Sequence, residues 1–159
     1  MTLADSSEAA AALRTFPLLD AAATLALGKA LGKAVRRGDV IFLYGELGAG
    51  KTTLARGVIE TATGETDIPS PTYNLVQIYA GPDFDIWHMD LYRLKSPEEA
   101  FELGLEDAAG AVQLVEWPER LQDNGPAPNL SVRLSPDGEG GRLAVLSAGP
   151  EWEKRLVAI

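Results

Sequence analysis

A continuous apolar run followed by glycines and a helical repeat dominates the first third of the chain. Val40–Tyr44 contains only aliphatic and aromatic residues, which predicts a strand buried on both faces, as in a parallel sheet. After Lys51, apolar positions recur with helical period at Leu54, Ala55, Val58, Ile59 and Ala62. The pattern therefore predicts the order strand, glycine-rich loop, helix.

Another helical pattern precedes this strand. Asp20 is a suitable N-cap, and Leu27, Leu31 and Val35 share one face at four-residue spacing. Residues 1–16 are rich in alanine and poor in large apolar side chains, so we expect a mobile tail or a short helix that packs little.

The rest of the chain alternates between extended and helical signals. Residues 74–79 and 85–90 flank a Gly-Pro-Asp turn and predict a hairpin, and residues 130–134 and 143–147 predict another. Between the hairpins, Ser96-Pro97-Glu98-Glu99 predicts the start of a short helix, and residues 111–115 predict a buried strand that ends at Glu116. We interpret residues 1–159 as a single domain of α/β class.

Composition limits the possible functions. The 159 residues are 46% hydrophobic and 23% charged, and the formal net charge of -9 argues against RNA binding through a basic surface of the chain itself. No cysteine occurs, which removes disulfides, thiolate catalysis and cysteine metal sites. The N-terminus lacks a secretory pattern and no apolar run is long enough to cross a bilayer, so we expect a cytoplasmic protein without a membrane role.

The glycine-rich loop carries a complete phosphate-binding motif. Its pattern is G-x-x-x-x-G-K-[ST], and with the next residue it comprises Gly45, Glu46, Leu47, Gly48, Ala49, Gly50, Lys51, Thr52 and Thr53. The backbone N–H groups of such a loop and the following helix N-terminus bind phosphate oxygens. Lys51 is expected to neutralise the outer phosphates, and the Thr52 hydroxyl to bind Mg²⁺. We therefore predict ATP and Mg²⁺ as ligands.

Hydrolysis additionally needs a carboxylate near the metal and a group that orients water. Glu116 ends a predicted buried strand, where a metal-binding carboxylate commonly lies, and Asp90 ends another strand. The residues alone leave the two roles open between these acids, and either acid could instead be a solvated strand-end carboxylate.

Three other features have weaker functional interpretations. Ser70-Pro71-Thr72-Tyr73 follows the phosphate-loop helix and could sense the γ-phosphate, or form a simple turn. His88 could orient Asp90 or polarise water, or it could be a structural histidine. Arg93 could neutralise transition-state charge, dock a partner or form a surface ion pair.

Four sequence blocks together resemble the TsaE family, the bacterial ATPases of tRNA threonylcarbamoyladenosine biosynthesis. They are Gly45 to Thr53, Ser70 to Tyr73, His88-Met-Asp-Leu-Tyr-Arg93 and Glu116-Trp-Pro118, within a resemblance that spans positions 18 to 150. Glu46 stands where the family often has Asp. The resemblance implies a three-layer P-loop NTPase-like fold with a mainly parallel central sheet and β-hairpin additions.

The resemblance also implies a function and a set of site residues. The protein would hydrolyse ATP weakly alone and act with a TsaB–TsaD complex, which transfers threonylcarbamoyl to tRNAs that read codons beginning with A. Contact with tRNA would be indirect, through that complex. Lys51 would contact phosphate, Thr52 and Glu116 would hold Mg²⁺, and Asp90 would be the catalytic or water-positioning acid. The segments Asp20 to Thr24 and Gly141-Arg142 would close over the base.

Three rival functions share the phosphate loop. A small-molecule kinase usually needs a lid with several arginines, and only scattered arginines follow Arg93. A regulatory GTPase needs the Asn-Lys-x-Asp guanine-reading motif, which is absent. A nucleotide-dependent scaffold without useful turnover would bind ATP but not need Asp90.

Overall fold

The apolar runs that predict strands assemble into a sheet in a computed structural model, which describes residues 12–69 and 75–159. The strands are β1 (Ala12–Leu18), β2 (Val40–Tyr44), β3 (Val76–Tyr79), β4 (Ile86–Asp90), β5 (Val112–Glu116), β6 (Leu130–Pro136) and β7 (Arg142–Ala148). The α-helices are α1 (Ala21–Ala34), α2 (Lys51–Thr63), α3 (Glu99–Glu102) and α4 (Pro150–Val157), and 3-10 helices span Leu105–Ala108 and Pro118–Leu121.

The seven strands of the described residues form one sheet in the order β1-β7-β6-β2-β5-β4-β3. The central strands β6, β2, β5 and β4 are parallel to one another, whereas the β3–β4, β6–β7 and β1–β7 pairs are antiparallel. Both predicted hairpins and the parallel centre are therefore confirmed. Because parallel strands end at the same edge, the segments after β2, β4 and β5 converge there.

Helices cover the two faces of this sheet and complete three layers. On one face, α1, α2 and α4 bury Leu31, Leu54 and Trp152 against the strands. On the other face, Phe42 and Met89 pack with residues of the short helical segments. This arrangement confirms the predicted three-layer α/β fold. No helix within the described ranges has the length and apolar character needed to span a membrane.

The helix starts follow local capping chemistry. The Asp20 side chain accepts a hydrogen bond from the Ala23 N–H and caps α1, as predicted. The helix predicted from Ser96 begins only at Glu99, because the intervening residues form a turn. In that turn the Glu99 carboxylate accepts from the Lys95 N–H at 3.0 Å.

The N-terminal region differs from the prediction. The prediction of a mobile tail or a short helix over residues 1–16 is wrong for residues 12–16. These residues lie in β1 and pair with β7. The pairing turns Phe16 and Leu18 toward the core while Leu13 and Thr15 stay exposed. This period-two pattern is typical of a strand. The strand was not predicted from the sequence because the pattern is short and follows an alanine-rich stretch. Residues 1–11 lie outside the described residues, and the single-domain assignment stays a prediction.

Candidate functional site

The phosphate-binding motif forms the turn between β2 and α2. Gly48 and Gly50 have φ values of 78° and 107°, a backbone region that favours glycine. Ala49 N–H bonds to the Glu46 carbonyl at 3.0 Å, which closes the loop just before α2 begins at Lys51. The first N–H groups of α2 therefore lack helical partners and favour an anion at this position.

Lys51 is held inside the loop. It is 4% exposed, and its Nζ donates to the Gly45 carbonyl at 2.5 Å and to the Glu46 carbonyl at 2.9 Å. The same Nζ lies 4.5 Å from the centroid of the Trp117 ring. Burial lowers the pKa of Lys51, although Glu116 and Asp90 act in the opposite direction. The ammonium group is thus desolvated beside the loop and faces acidic neighbours.

Thr52 and Glu116 meet although they are 64 positions apart in sequence. The Thr52 hydroxyl lies 3.0 Å from Oε1 and 3.1 Å from Oε2 of Glu116. Glu116 is 2% exposed, and its Oε2 also lies 2.6 Å from Nε2 of His88. A buried carboxylate requires such donors. The predicted pair of metal-binding residues is therefore close enough to share one ion.

The donor set suits magnesium. Mg²⁺ prefers oxygen ligands and commonly uses one or two carboxylates together with water and substrate phosphates. Thr52 and Glu116 supply a hydroxyl and a carboxylate. Within the described residues, no group of three or more His, Asp or Glu side chains could hold a metal ion. An ion at Thr52 and Glu116 would thus depend on phosphate and water for its other ligands.

Asp90 lies beside Glu116, since the two residues are register partners of the parallel β4–β5 pair. Its Oδ1 accepts a hydrogen bond from the Tyr92 N–H at 3.1 Å. Burial raises the pKa of Asp90 above its ordinary value, and the neighbouring Glu116 adds to this effect, while the Tyr92 N–H, His88 and Lys51 oppose it. Asp90 is thus a stronger proton acceptor than an exposed aspartate.

One pocket of about 240 Å³ gathers most of the predicted site residues. Its lining consists of Leu47, Gly48, Ala49, Gly50, Lys51, Thr52, Thr53, Asp90, Glu116 and Trp117. Gly45 and Glu46 are absent from that lining and contribute the carbonyls that hold Lys51. The catalytic roles assigned to Lys51, Asp90 and Glu116 stay predictions.

A second pocket of about 200 Å³ adjoins the first and shares the lining residues Gly48, Ala49, Gly50 and Thr53 with it. Its other walls include Asp20, Thr24, Gly141 and Arg142, from the two segments that the family resemblance assigns to the base. An N–H of Arg142 lies 3.3 Å from the Gly48 carbonyl and links the β6–β7 hairpin to the phosphate loop.

Aromatic contacts at the end of β5 were not predicted from the sequence. Trp117 has φ 58° and ψ 49°, a left-handed conformation that is uncommon for a bulky residue. Its ring lies 4.9 Å from the ring of Tyr92, and the Arg120 guanidinium lies 5.6 Å from the Tyr92 centroid. The block Glu116-Trp-Pro118 is one of those that carry the family resemblance, but the sequence does not predict that Trp117 contacts Tyr92 and Lys51.

The weaker functional interpretations have different outcomes. His88 bonds to Glu116, and not to Asp90 as one alternative had it, because the Glu116 side chain reaches across to the neighbouring strand. Ser70 to Tyr73 lie outside the described residues. Arg93 lies in the turn after β4, and its role stays open.

Comparisons with known proteins agree with the sequence blocks. A sequence model described as "Threonylcarbamoyl adenosine biosynthesis protein TsaE" matches residues 18–144. The tRNA threonylcarbamoyladenosine biosynthesis protein TsaE of Rickettsia bellii is 47% identical over 108 residues, which cover 67% of this chain and 75% of that protein. The protein of the same name from a Nostoc species is 37% identical over 136 residues, covering 82% and 83%.

A solved structure is also similar. The crystal structure of Bacillus subtilis YdiB superposes with a TM-score of 0.75 at 27% sequence identity, and covers 93% of this chain and 94% of that chain. Fold and sequence agree, and the chain belongs to the TsaE family of threonylcarbamoyl adenosine biosynthesis proteins.

Proposed function

We propose that this protein is a Mg²⁺-dependent ATPase that serves tRNA threonylcarbamoyladenosine biosynthesis together with a TsaB–TsaD complex. One observation carries the proposal: Lys51, Thr52, Asp90 and Glu116 line a single pocket at the phosphate loop. A pocket with a loop lysine, a metal-binding hydroxyl and two acids has the groups that phosphoryl transfer to water needs.

Each side chain has a distinct role in the proposed reaction. Lys51 exchanges its bonds to the Gly45 and Glu46 carbonyls for bonds to the outer phosphates and compensates their charge. Thr52 and Glu116 hold Mg²⁺, which supplies further neutralisation of the phosphate oxygens.

Asp90 orients the attacking water and accepts its proton. Its raised pKa supports this role, since a more basic carboxylate takes a proton more readily in the transition state. The pocket that Asp90 lines also has room for this water, because its volume of about 240 Å³ exceeds that of a single water by several fold.

The acidic character of the chain supports indirect contact with tRNA. A net charge of -9 disfavours binding to an RNA backbone, so the partner complex would hold the tRNA while this chain supplies nucleotide hydrolysis. The names of the Rickettsia and Nostoc relatives support the pathway.

The decisive experiment measures threonylcarbamoyladenosine formation over several turnovers. Purified TsaB, TsaC and TsaD proteins are combined with tRNA, with and without this chain or its Lys51→Ala variant. We expect product beyond the first turnover only with the wild-type chain. Equal product without the chain would refute the pathway role, and equal product with Lys51→Ala would refute the need for nucleotide.

A second assay identifies the nucleotide chemistry. Release of inorganic phosphate is compared for ATP and GTP, with Mg²⁺ or excess EDTA and with or without the partner complex. We expect Mg²⁺-dependent release from ATP that the partners stimulate. A preference for GTP, or phosphate transferred to a small acceptor instead of water, would contradict an ATPase.

A further inference from the structure

His88 is a fully buried polar side chain that has no direct role in the proposed reaction. It lies on β4 two residues before Asp90, and its side chain is 0% exposed. Its Nε2 makes the 2.6 Å contact with Oε2 of Glu116, while Nδ1 has no hydrogen-bond partner among the described residues. Among the described residues, Glu116 is therefore the hydrogen-bond partner of the His88 side chain.

The chemistry of the two groups sets the direction of this hydrogen bond. An ionised carboxylate accepts hydrogen bonds and cannot donate them, so the imidazole must carry a hydrogen on Nε2. The bond is charge-assisted, which makes it stronger than a bond between neutral groups. Because both side chains are buried, water does not compete effectively for either partner.

The bond restricts the orientation of the Glu116 carboxylate. The Thr52 hydroxyl has a single hydrogen and lies almost equally far from both carboxylate oxygens, so it does not by itself select one of them. His88 contacts Oε2 alone. Oε1 is consequently the oxygen that keeps more free acceptor capacity at the pocket, next to the Thr52 hydroxyl.

Space filling alone explains His88 poorly. An apolar side chain of similar size would fill the same space without leaving Nδ1 unpartnered, but it would leave the buried Glu116 carboxylate without the donor at Nε2. The hydrogen bond from Nε2 to Glu116 therefore offsets the cost of leaving Nδ1 without a partner.

We propose that His88 is a positioning residue that holds the Glu116 carboxylate in the orientation required for Mg²⁺ binding with Thr52. This inference rests on the proposed function, because it assigns Mg²⁺ to the Thr52–Glu116 pair. Hydrogen-bond partners of metal-binding carboxylates typically contribute about 10–100-fold to metal affinity or activity.

The test compares two amide variants. In His88→Gln the amide nitrogen reaches about as far as Nε2 of the imidazole, whereas in His88→Asn the shorter amide ends near the position of Nδ1. Only the Gln variant can therefore donate to Glu116. Binding of a fluorescent ATP analogue is titrated with Mg²⁺, and the Mg²⁺ concentration at half-maximal enhancement is determined for the wild type and both variants.

We expect His88→Asn to raise this Mg²⁺ concentration about tenfold or more, and His88→Gln to stay near the wild type. Binding in excess EDTA is expected to be equal in all three proteins, since Lys51 and the phosphate loop provide it. Thermal melting verifies folding, and His88→Met, an apolar side chain of similar length, replaces His88→Asn with the same expectation if that variant does not fold.

Two results would overturn the inference. Wild-type Mg²⁺ dependence in His88→Asn would show that Glu116 needs no partner, and equal shifts in the Gln and Asn variants would show a packing effect. Failure of the proposed function is distinguishable, since the wild-type protein itself would then bind the ATP analogue without any response to Mg²⁺.

Discussion

Replacing Gly28 with alanine tests the packing that supports the phosphate-loop helix. Helix propensity alone favours alanine over glycine by about 1 kcal/mol within a helix. At Gly28, however, a Cβ atom would lie 2.2 Å from the Leu54 carbonyl oxygen and 3.1 Å from the Gly57 Cα atom. Helix propensity therefore predicts that Gly28→Ala stabilises the protein, whereas packing predicts that it destabilises the protein.

The magnitude follows from the overlap. Real Cβ atoms essentially never lie closer than 3.0 Å to such a neighbour, so α1 and α2 would have to separate by about 1 Å. The obstructing atoms belong to backbone, and no rotamer change relieves the clash. Overpacking costs about 1–3 kcal/mol, and we expect the upper end, which leaves a net loss of about 2 kcal/mol after the propensity gain. For a chain of this size, that loss lowers Tm by about 4–8 °C.

The assay is thermal unfolding of Gly28→Ala beside the wild type. Ala26→Gly, at an exposed position of α1, is the matched control and measures the propensity contribution in the same helix. Because α2 begins at Lys51, the separation also displaces the phosphate-loop residues, and nucleotide affinity is expected to weaken. A Tm for Gly28→Ala at or above the wild-type value would refute the reasoning.

Three further predictions address the site and the opposite end of the sheet. Asp90→Asn is expected to abolish ATP hydrolysis, because the amide cannot accept the proton of water. It is also expected to raise Tm at pH 7. Burial raises the pKa of Asp90, so the ionised carboxylate destabilises the fold at any pH above that pKa, and the neutral amide does not. This gain should shrink as the pH falls toward 3.8, the ordinary pKa, and a Tm difference independent of pH would contradict it. Lys51→Ala is expected to weaken ATP binding about 10–100-fold by calorimetry, from the loss of about 1.5–3 kcal/mol of charged hydrogen bonding; an unchanged Kd would exclude Lys51 from phosphate binding. Asp39→Ala should lower unfolding free energy by about 3–5 kcal/mol in denaturant titration, because it leaves the buried Arg155 without its two-point partner at 2.7 and 3.1 Å. A loss under 1 kcal/mol, about that of a surface pair, would show that this ion pair contributes little.

Local signals in the sequence predicted most of the residues that line the candidate pocket. The strand, glycine-rich loop and helix around Lys51 depend on neighbouring residues, so their pattern is visible without the fold. Asp90 and Glu116 were predicted as strand-end acids, and because β4 and β5 are parallel neighbours, their ends meet. The cytoplasmic location and the partner complex stay predictions.

Contacts between distant segments were not predictable in the same way. The bond between His88 and Glu116 joins residues 28 positions apart, and nothing in either local pattern selects this pairing over one with Asp90. The strand β1 was missed for a similar reason, since its stability depends on pairing with β7 near the other end of the chain.

The sequence by itself determined most of the strands and helices, although not β1, and the position of the glycine-rich loop, because periodicity, capping and glycine conformation act over a few residues. Only the tertiary structure decided the strand order, the close approach of α1 to α2 and the partner of Glu116. Apolar strands can bury their side chains equally well in many orders, and the choice among them depends on packing over the whole sheet.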